Sequence, residues 1–236
     1  MAKHSPLIHL SARKTLVGLL VVLAVLVVLH IVGQYLWHIQ GLTNLSLYVD
    51  RFNMNEENSF PTWFATILLI ISSILLWIIG AIKISTEDTF TKYWKILAVI
   101  FLILSIDEGS SMHEMLSVSI GATLGIQGGM FYYAWVIPAL LLLAVLALYF
   151  FKFWQNLYSS TRWLVFWAGL LYISGALGIE MLGGRYATKL GGYDFNYFLL
   201  VAVEEGLEKM GLVVFIYALI KCLARLKDGV WIGFRD

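Results

Sequence analysis

The sequence predicts an all-α, polytopic membrane bundle of about six helices in a single domain spanning residues 1–236. Three observations carry that reading. Hydrophobic residues make up 60% of the chain and its mean hydropathy is +0.83, far from a soluble globule. The apolar residues come as unbroken runs of about 20, the length a helix needs to cross a bilayer, whereas a β-barrel would alternate in short segments. Aromatic residues such as Trp37, Trp63, Trp94, Trp135 and Trp163 collect at the ends of those runs, as interfacial belts do.

The predicted helices cover residues 15–37, 62–82, 94–115, 131–151, 163–183 and 196–220. The first run is too long for the apolar core of a signal segment and lacks a small-residue cleavage site, so it is expected to be retained. Pro61 stands where the second helix starts, a position at which proline is tolerated. The polar stretch 38–60 reads as a solvated outer loop, with a lid over whatever lies beneath as the alternative. The Gly-rich apolar stretch 116–130 is expected to lie along the outer surface or to re-enter.

Lysine and arginine set the orientation. With the N-terminus inside, Lys3, Arg13, Lys14, Lys83, Lys92, Lys95, Lys152, Arg162, Lys221, Arg225, Lys227 and Arg235 all fall on inner segments. Only Arg51, Arg185 and Lys189 fall on outer ones, so both termini are expected in the cytoplasm. A net charge of +1 offers no field for nucleic acid, and that class of partner is set aside. The single cysteine, Cys222, excludes an internal disulfide and a cysteine-based metal site.

Against this background the ionisable residues stand out. Asp107, Glu108, Glu114, Glu180, Glu204, Glu205 and Glu208 all fall inside predicted helices, opposed there only by Lys209. At about 1.5 Å of rise per residue, straight helices would bring these acids to overlapping depth in the outer half of the bilayer. So many carboxylates in a low-dielectric site must hold protons or bind cations. His113 and the helix-1 residues His30, Gln34 and His38, spaced four apart, favour cations. The expected metal ligands are therefore Asp107, Glu108, His113, Glu114, Glu180, Glu204, Glu205, Glu208 and His30, with Glu205 and Glu208 as the catalytic pair.

Carboxylate and imidazole from facing helices suit a di-iron or di-manganese centre, although the Glu-x-x-His spacing is missing. Zinc acting on water fits the same inventory, and oxygen-rich ligation also suits manganese, calcium or magnesium. The divalent metal is thus iron, manganese or zinc, and no organic cofactor is indicated.

Three motifs, P-T-W-F-A-T-I-L-L-I from Pro61, L-S-I-D-E-G-S-S-M-H-E from Leu104 and E-E-G-L-E-K-M-G from Glu204, together resemble a group of uncharacterised bacterial multi-pass membrane proteins. The resemblance covers most of the chain and implies a bacterial inner-membrane location. It joins the motifs into one unit and brings no activity. The expectation is an intramembrane metal site serving an oxidoreductase or hydrolase, with membrane lipid around it and a lipid-soluble substrate. A subunit of a respiratory or photosynthetic complex, with membrane partners, and a cation or proton transporter are the alternatives. The apolar inner halves of helices 3, 5 and 6 count against a through-path.

Overall fold

The computed structural model describes residues 11–85 and 88–226; Lys3, Lys227 and Arg235, which enter the charge count above, lie outside it. The described chain is an all-α bundle of membrane character. Its principal helices are α1 (Ala12–His38), α2 (Ser46–Phe52), α3 (Phe60–Ser85), α4 (Thr91–Ser110) and α5 (Met112–Leu124), then α6 (Val136–Asn156), α7 (Ser159–Ile173), α8 (Glu180–Lys189) and α9 (Phe195–Leu223). A π-helical segment, Ser174–Ile179, joins α7 to α8.

The helices begin where local chemistry allows. The Ser11 hydroxyl accepts from Lys14 N–H at the start of α1, the Ser59 hydroxyl from Thr62 N–H at the start of α3, and Asp194 from Tyr197 N–H at the start of α9. Each side chain satisfies one of the donors that a first helical turn leaves open.

The central element is α9. It packs against α1, α3, α7 and the π segment, and it buries Val201, Leu212, Val213, Ile216 and Leu219 among them. At Gly211 the backbone of α7 comes so close that a Cβ would sit 2.7 Å from the Ala168 carbonyl. Ala12, Leu16 and Leu19 of α1 pack with Ile216 and Ile220 of α9, so the start of α1 and the end of α9 share one end of the bundle. Between α3 and α4 the Ser73 hydroxyl donates to the Ala98 carbonyl at 2.7 Å.

The outer surface is apolar. Leu148 of α6 is 81% exposed, and Val21, Val25, Val28 and Val32 form an open face of α1. Contiguous apolar surface on this scale is unstable in water and suits contact with lipid. Among the described residues, four helices are long and apolar enough to cross a membrane: Ala12–His38, Phe60–Ile84, Val136–Asn156 and Ser159–Lys189. The bent pair α4 and α5 makes a fifth if it is one span. Helix α9 is not among them, because Glu204, Glu205, Glu208 and Lys209 crowd its first half.

Two expected helices come out differently. The one predicted over 94–115 breaks at Ser111, which sits in the left-handed region at φ 54°, and α5 leaves α4 at 77°. The stretch after it, expected to lie along the outer surface or to re-enter, is helical to Leu124. On α5 the small residues Ser117 and Gly121 are buried, while Met115 and Val118 face outward. The helix predicted from 131 begins at Val136, because residues 125–135 make turns across the mouth of the bundle; there Trp135 N–H donates to the Ser117 hydroxyl.

Candidate metal centre

A cavity of about 90 Å³ opens where α4, α5, the π segment and α9 converge beneath the loop before α3. Eight of the nine expected ligands line it: Asp107, Glu108, His113, Glu114, Glu180, Glu204, Glu205 and Glu208. The densest group is on α9, where the 3–4 residue spacing puts Glu204, Glu205 and Glu208 on adjoining faces. One carboxylate oxygen from each lies within 4.8 Å of the others. This tri-carboxylate group can coordinate a divalent metal ion. Oxygens bound to one ion at about 2.0–2.6 Å are themselves separated by no more than about 4–5 Å, so small rotamer adjustments suffice.

The π segment brings α9 close. A Cβ on Gly175 would lie 2.5 Å from the Glu204 carbonyl and 2.7 Å from Glu208 Cγ, so glycine is what permits the contact. The wider π turn also brings round Glu180, which accepts from Trp135 Nε1–H at 3.0 Å and lies in hydrogen-bonding reach of Glu204. Two carboxyls that close need a shared proton or a cation between them. Lys209, 1% exposed, bonds Glu205 and places one positive charge among the acids.

At the α4–α5 break, Asp107 uses both oxygens on His113. Its Oδ1 accepts the His113 backbone N–H at 2.9 Å, and Oδ2 accepts from Nδ1–H at 3.1 Å. The carboxylate thus caps α5 and fixes the imidazole tautomer, leaving Nε2 3.8 Å from Glu57 Oε1. A histidine held this way can take or give a proton at Nε2.

Several expectations need correction. The site was expected within the bilayer, yet the tri-carboxylate group lies on α9, outside the helices that qualify as membrane spans. A helix with four ionisable groups in six positions does not partition into lipid as an independent span. The group is also carboxylate-only, so the mixed carboxylate and histidine set is not what gathers there. His30 stands apart. Its Nε2–H donates to the Phe198 carbonyl at 3.0 Å and its Nδ1 accepts from Met54 N–H at 3.1 Å, which leaves no lone pair for a metal.

Of the two readings of the 38–60 stretch, the solvated loop and the lid, the residues before α3 fit the lid. Asn55, Glu56 and Glu57 line the cavity, and their loop is fastened at several points. Tyr133 donates to the Tyr197 hydroxyl at 2.8 Å and Tyr197 to Asn55 Oδ1 at 3.0 Å. Thr62 holds the Glu56 carbonyl, and Arg51 the Asn58 carbonyl. The one sequence signal was that Glu56 and Glu57 have no basic companion besides Arg51.

Burial, and then repulsion from Glu108, push the Glu57 carboxyl up to about 7, with His113 opposing. A carboxyl raised above its unfolded value favours the folded state below that value, and the contribution is lost as pH rises through the folded one. Without divalent cation, hydrogen exchange in residues 53–59 is therefore expected to speed up as pH rises from 4.5 to about 7, beyond the intrinsic base-catalysed rise, with no further excess above that. Glu57→Gln should abolish the excess; an unchanged excess in that variant would assign it to another group.

Comparison with known proteins adds a family. One described as a domain of unknown function, DUF8692, matches residues 18–223. The chain belongs to this family. No activity comes with the DUF8692 assignment, but the matched span includes every expected ligand and the lid. No curated protein and no solved structure matches this DUF8692 chain.

Proposed function

We propose that this DUF8692 protein is an integral membrane protein that holds a divalent cation at the lid-covered mouth of its helix bundle. The observation that carries the reading is the close approach of the Glu204, Glu205 and Glu208 carboxylates. Of the three expected metals, manganese is the one that all-oxygen donors suit best. Glu205 and Glu208, expected as a catalytic pair, act as ligands in this reading, with Glu180 and Glu108 supplying further oxygen around the ion. Asp107 positions His113, whose Nε2 is the proton carrier beside the centre.

The lysine and arginine bias supports a cytoplasmic location for the end shared by the start of α1 and the end of α9, and the resemblance of the three motifs supports a bacterial inner membrane. The mouth with its acids then faces the opposite, extracytoplasmic side. Surplus negative charge at a water-connected mouth attracts cations without the cost of burying them in lipid.

Metal analysis of the full chain purified in detergent tests the reading. About one equivalent of manganese is expected, retained through dialysis. Glu208→Gln should weaken manganese binding at least tenfold, the loss of one charged ligand interaction. Absence of bound metal, together with no response to added manganese, would overturn the proposal.

A further inference from the structure

A second cavity lies at the other end of the bundle, bordered by the α3–α4 turn, the α6–α7 turn and the last turns of α9. Its wall includes Thr161, which is 2% exposed. The Thr161 hydroxyl is the only buried side-chain oxygen or nitrogen among the described residues that lacks a hydrogen-bond partner. A buried hydroxyl left unpaired costs about 1–3 kcal/mol, so such a group calls for a partner.

The setting says what kind of partner. Thr161 is in the first turn of α7, a helix of 15 residues, and no side chain caps that turn. The first N–H groups of a helix have no partner within it, and they carry the positive end of its dipole. They form a ready site for an oxyanion. Among the described residues, three charged groups stand at the cavity. Lys83 and Asp88 form an ion pair at 2.7 Å, and Asp88, the one acid of the lining, also accepts from Phe90 N–H. Arg225 lies over the ring of Tyr158, itself part of the wall, at 5.6 Å. Among the described residues that pair offsets itself, and Arg225 and the helix dipole stand beside it as positive charge.

We propose that this cavity is a phosphate-binding site, in which the first turn of α7 and the Thr161 hydroxyl receive the oxygens of a phosphoryl group and Arg225 balances its charge. Two sources share that chemistry: the headgroup of an anionic phospholipid and free inorganic phosphate. Basic side chains stacked on aromatic rings recur at Arg162–Trp154, Lys92–Tyr93 and Lys221–Tyr217. Such pairs suit an interface with anionic headgroups. The site does not depend on the metal centre.

The test measures binding of phosphatidylglycerol, phosphatidylcholine and inorganic phosphate to the full chain in detergent, by native mass spectrometry and by titration. Phosphatidylglycerol is expected to be retained in preference to phosphatidylcholine. Thr161→Val should weaken that retention at least tenfold, while Thr161→Ser keeps it, since a hydrogen bond to a charged group is at stake. The valine variant, tested without lipid or phosphate, should unfold at the same temperature or higher, because it removes an unsatisfied hydroxyl. If the valine variant proves unstable, Arg225→Gln at the exposed surface carries the test and should lower retention. Displacement of the lipid by phosphate would identify free phosphate as a sufficient ligand; retention unaffected by phosphate would identify the lipid headgroup. Binding unchanged in both Thr161→Val and Arg225→Gln, or no binding of either anionic probe, would overturn the proposal.

Discussion

Lys209→Met is expected to destabilise the metal-free protein by about 3–5 kcal/mol, the usual cost of removing one partner from a buried ion pair. Lys209 is 1% exposed and bonds Glu205, one helical turn before it on α9. Removing its ammonium leaves Glu204, Glu205 and Glu208 facing Glu180 and Glu108 with no fixed positive charge beside them. The same substitution frees Glu205 to act as a full ligand. Cation should then bind the variant more tightly and restore stability, by an amount that grows with the logarithm of its concentration. Thermal unfolding with and without manganese measures both effects. A variant that loses stability without regaining any on addition of manganese would show that Lys209 supports packing rather than charge balance.

That coupling between a lysine and three acids was open to sequence reasoning, because the spacing along one helix fixes which side chains are neighbours. The gathering of Asp107, Glu108, His113 and Glu114 with the α9 acids was legible for the same reason: few sequences keep so many carboxylates in apolar surroundings without a shared purpose. Depth was not legible. A rise of about 1.5 Å per residue gives depth only along straight helices. Helix α4 ends at Ser110, and its continuation after Ser111 turns by 77°. Gly109-Ser110-Ser111 marks a place where the helix can kink, but not by how much; Asp107 stabilises the break from four residues back by capping α5.

His30 misled for a related reason. Its spacing with Gln34 and His38 marked a polar face, but the partners of that face, Phe198 and Met54, come from distant parts of the chain. Glu56 and Glu57 were read as solvated for want of the same information. Their loop reaches the cavity through Asn55, Tyr197 and Tyr133, contacts between residues far apart in sequence.

The π segment offers the sharpest test of how the fold builds the centre. Gly175→Ala is expected to lower manganese affinity at least tenfold and to cost about 1–3 kcal/mol, the usual penalty of overpacking a tight contact. The added methyl would meet the Glu204 carbonyl at 2.5 Å and Glu208 Cγ at 2.7 Å. Backbone cannot rotate out of the way as a side chain can, so α9 and the π segment must separate. All three ligands ride on the displaced stretch of α9, and two of them, Glu204 and Glu208, meet the methyl directly. Gly178→Ala is the control within the same segment, since nothing lies within 4 Å of its added carbon. It should bind manganese like the parent and keep its stability, or gain a few tenths of a kcal/mol from the stiffer unfolded chain. Manganese titration and thermal unfolding of the two variants, side by side, separate a positional effect from a general intolerance of the π turn to side chains. Equal losses in both would mean that the segment needs glycine for its own conformation and not for its fit against α9.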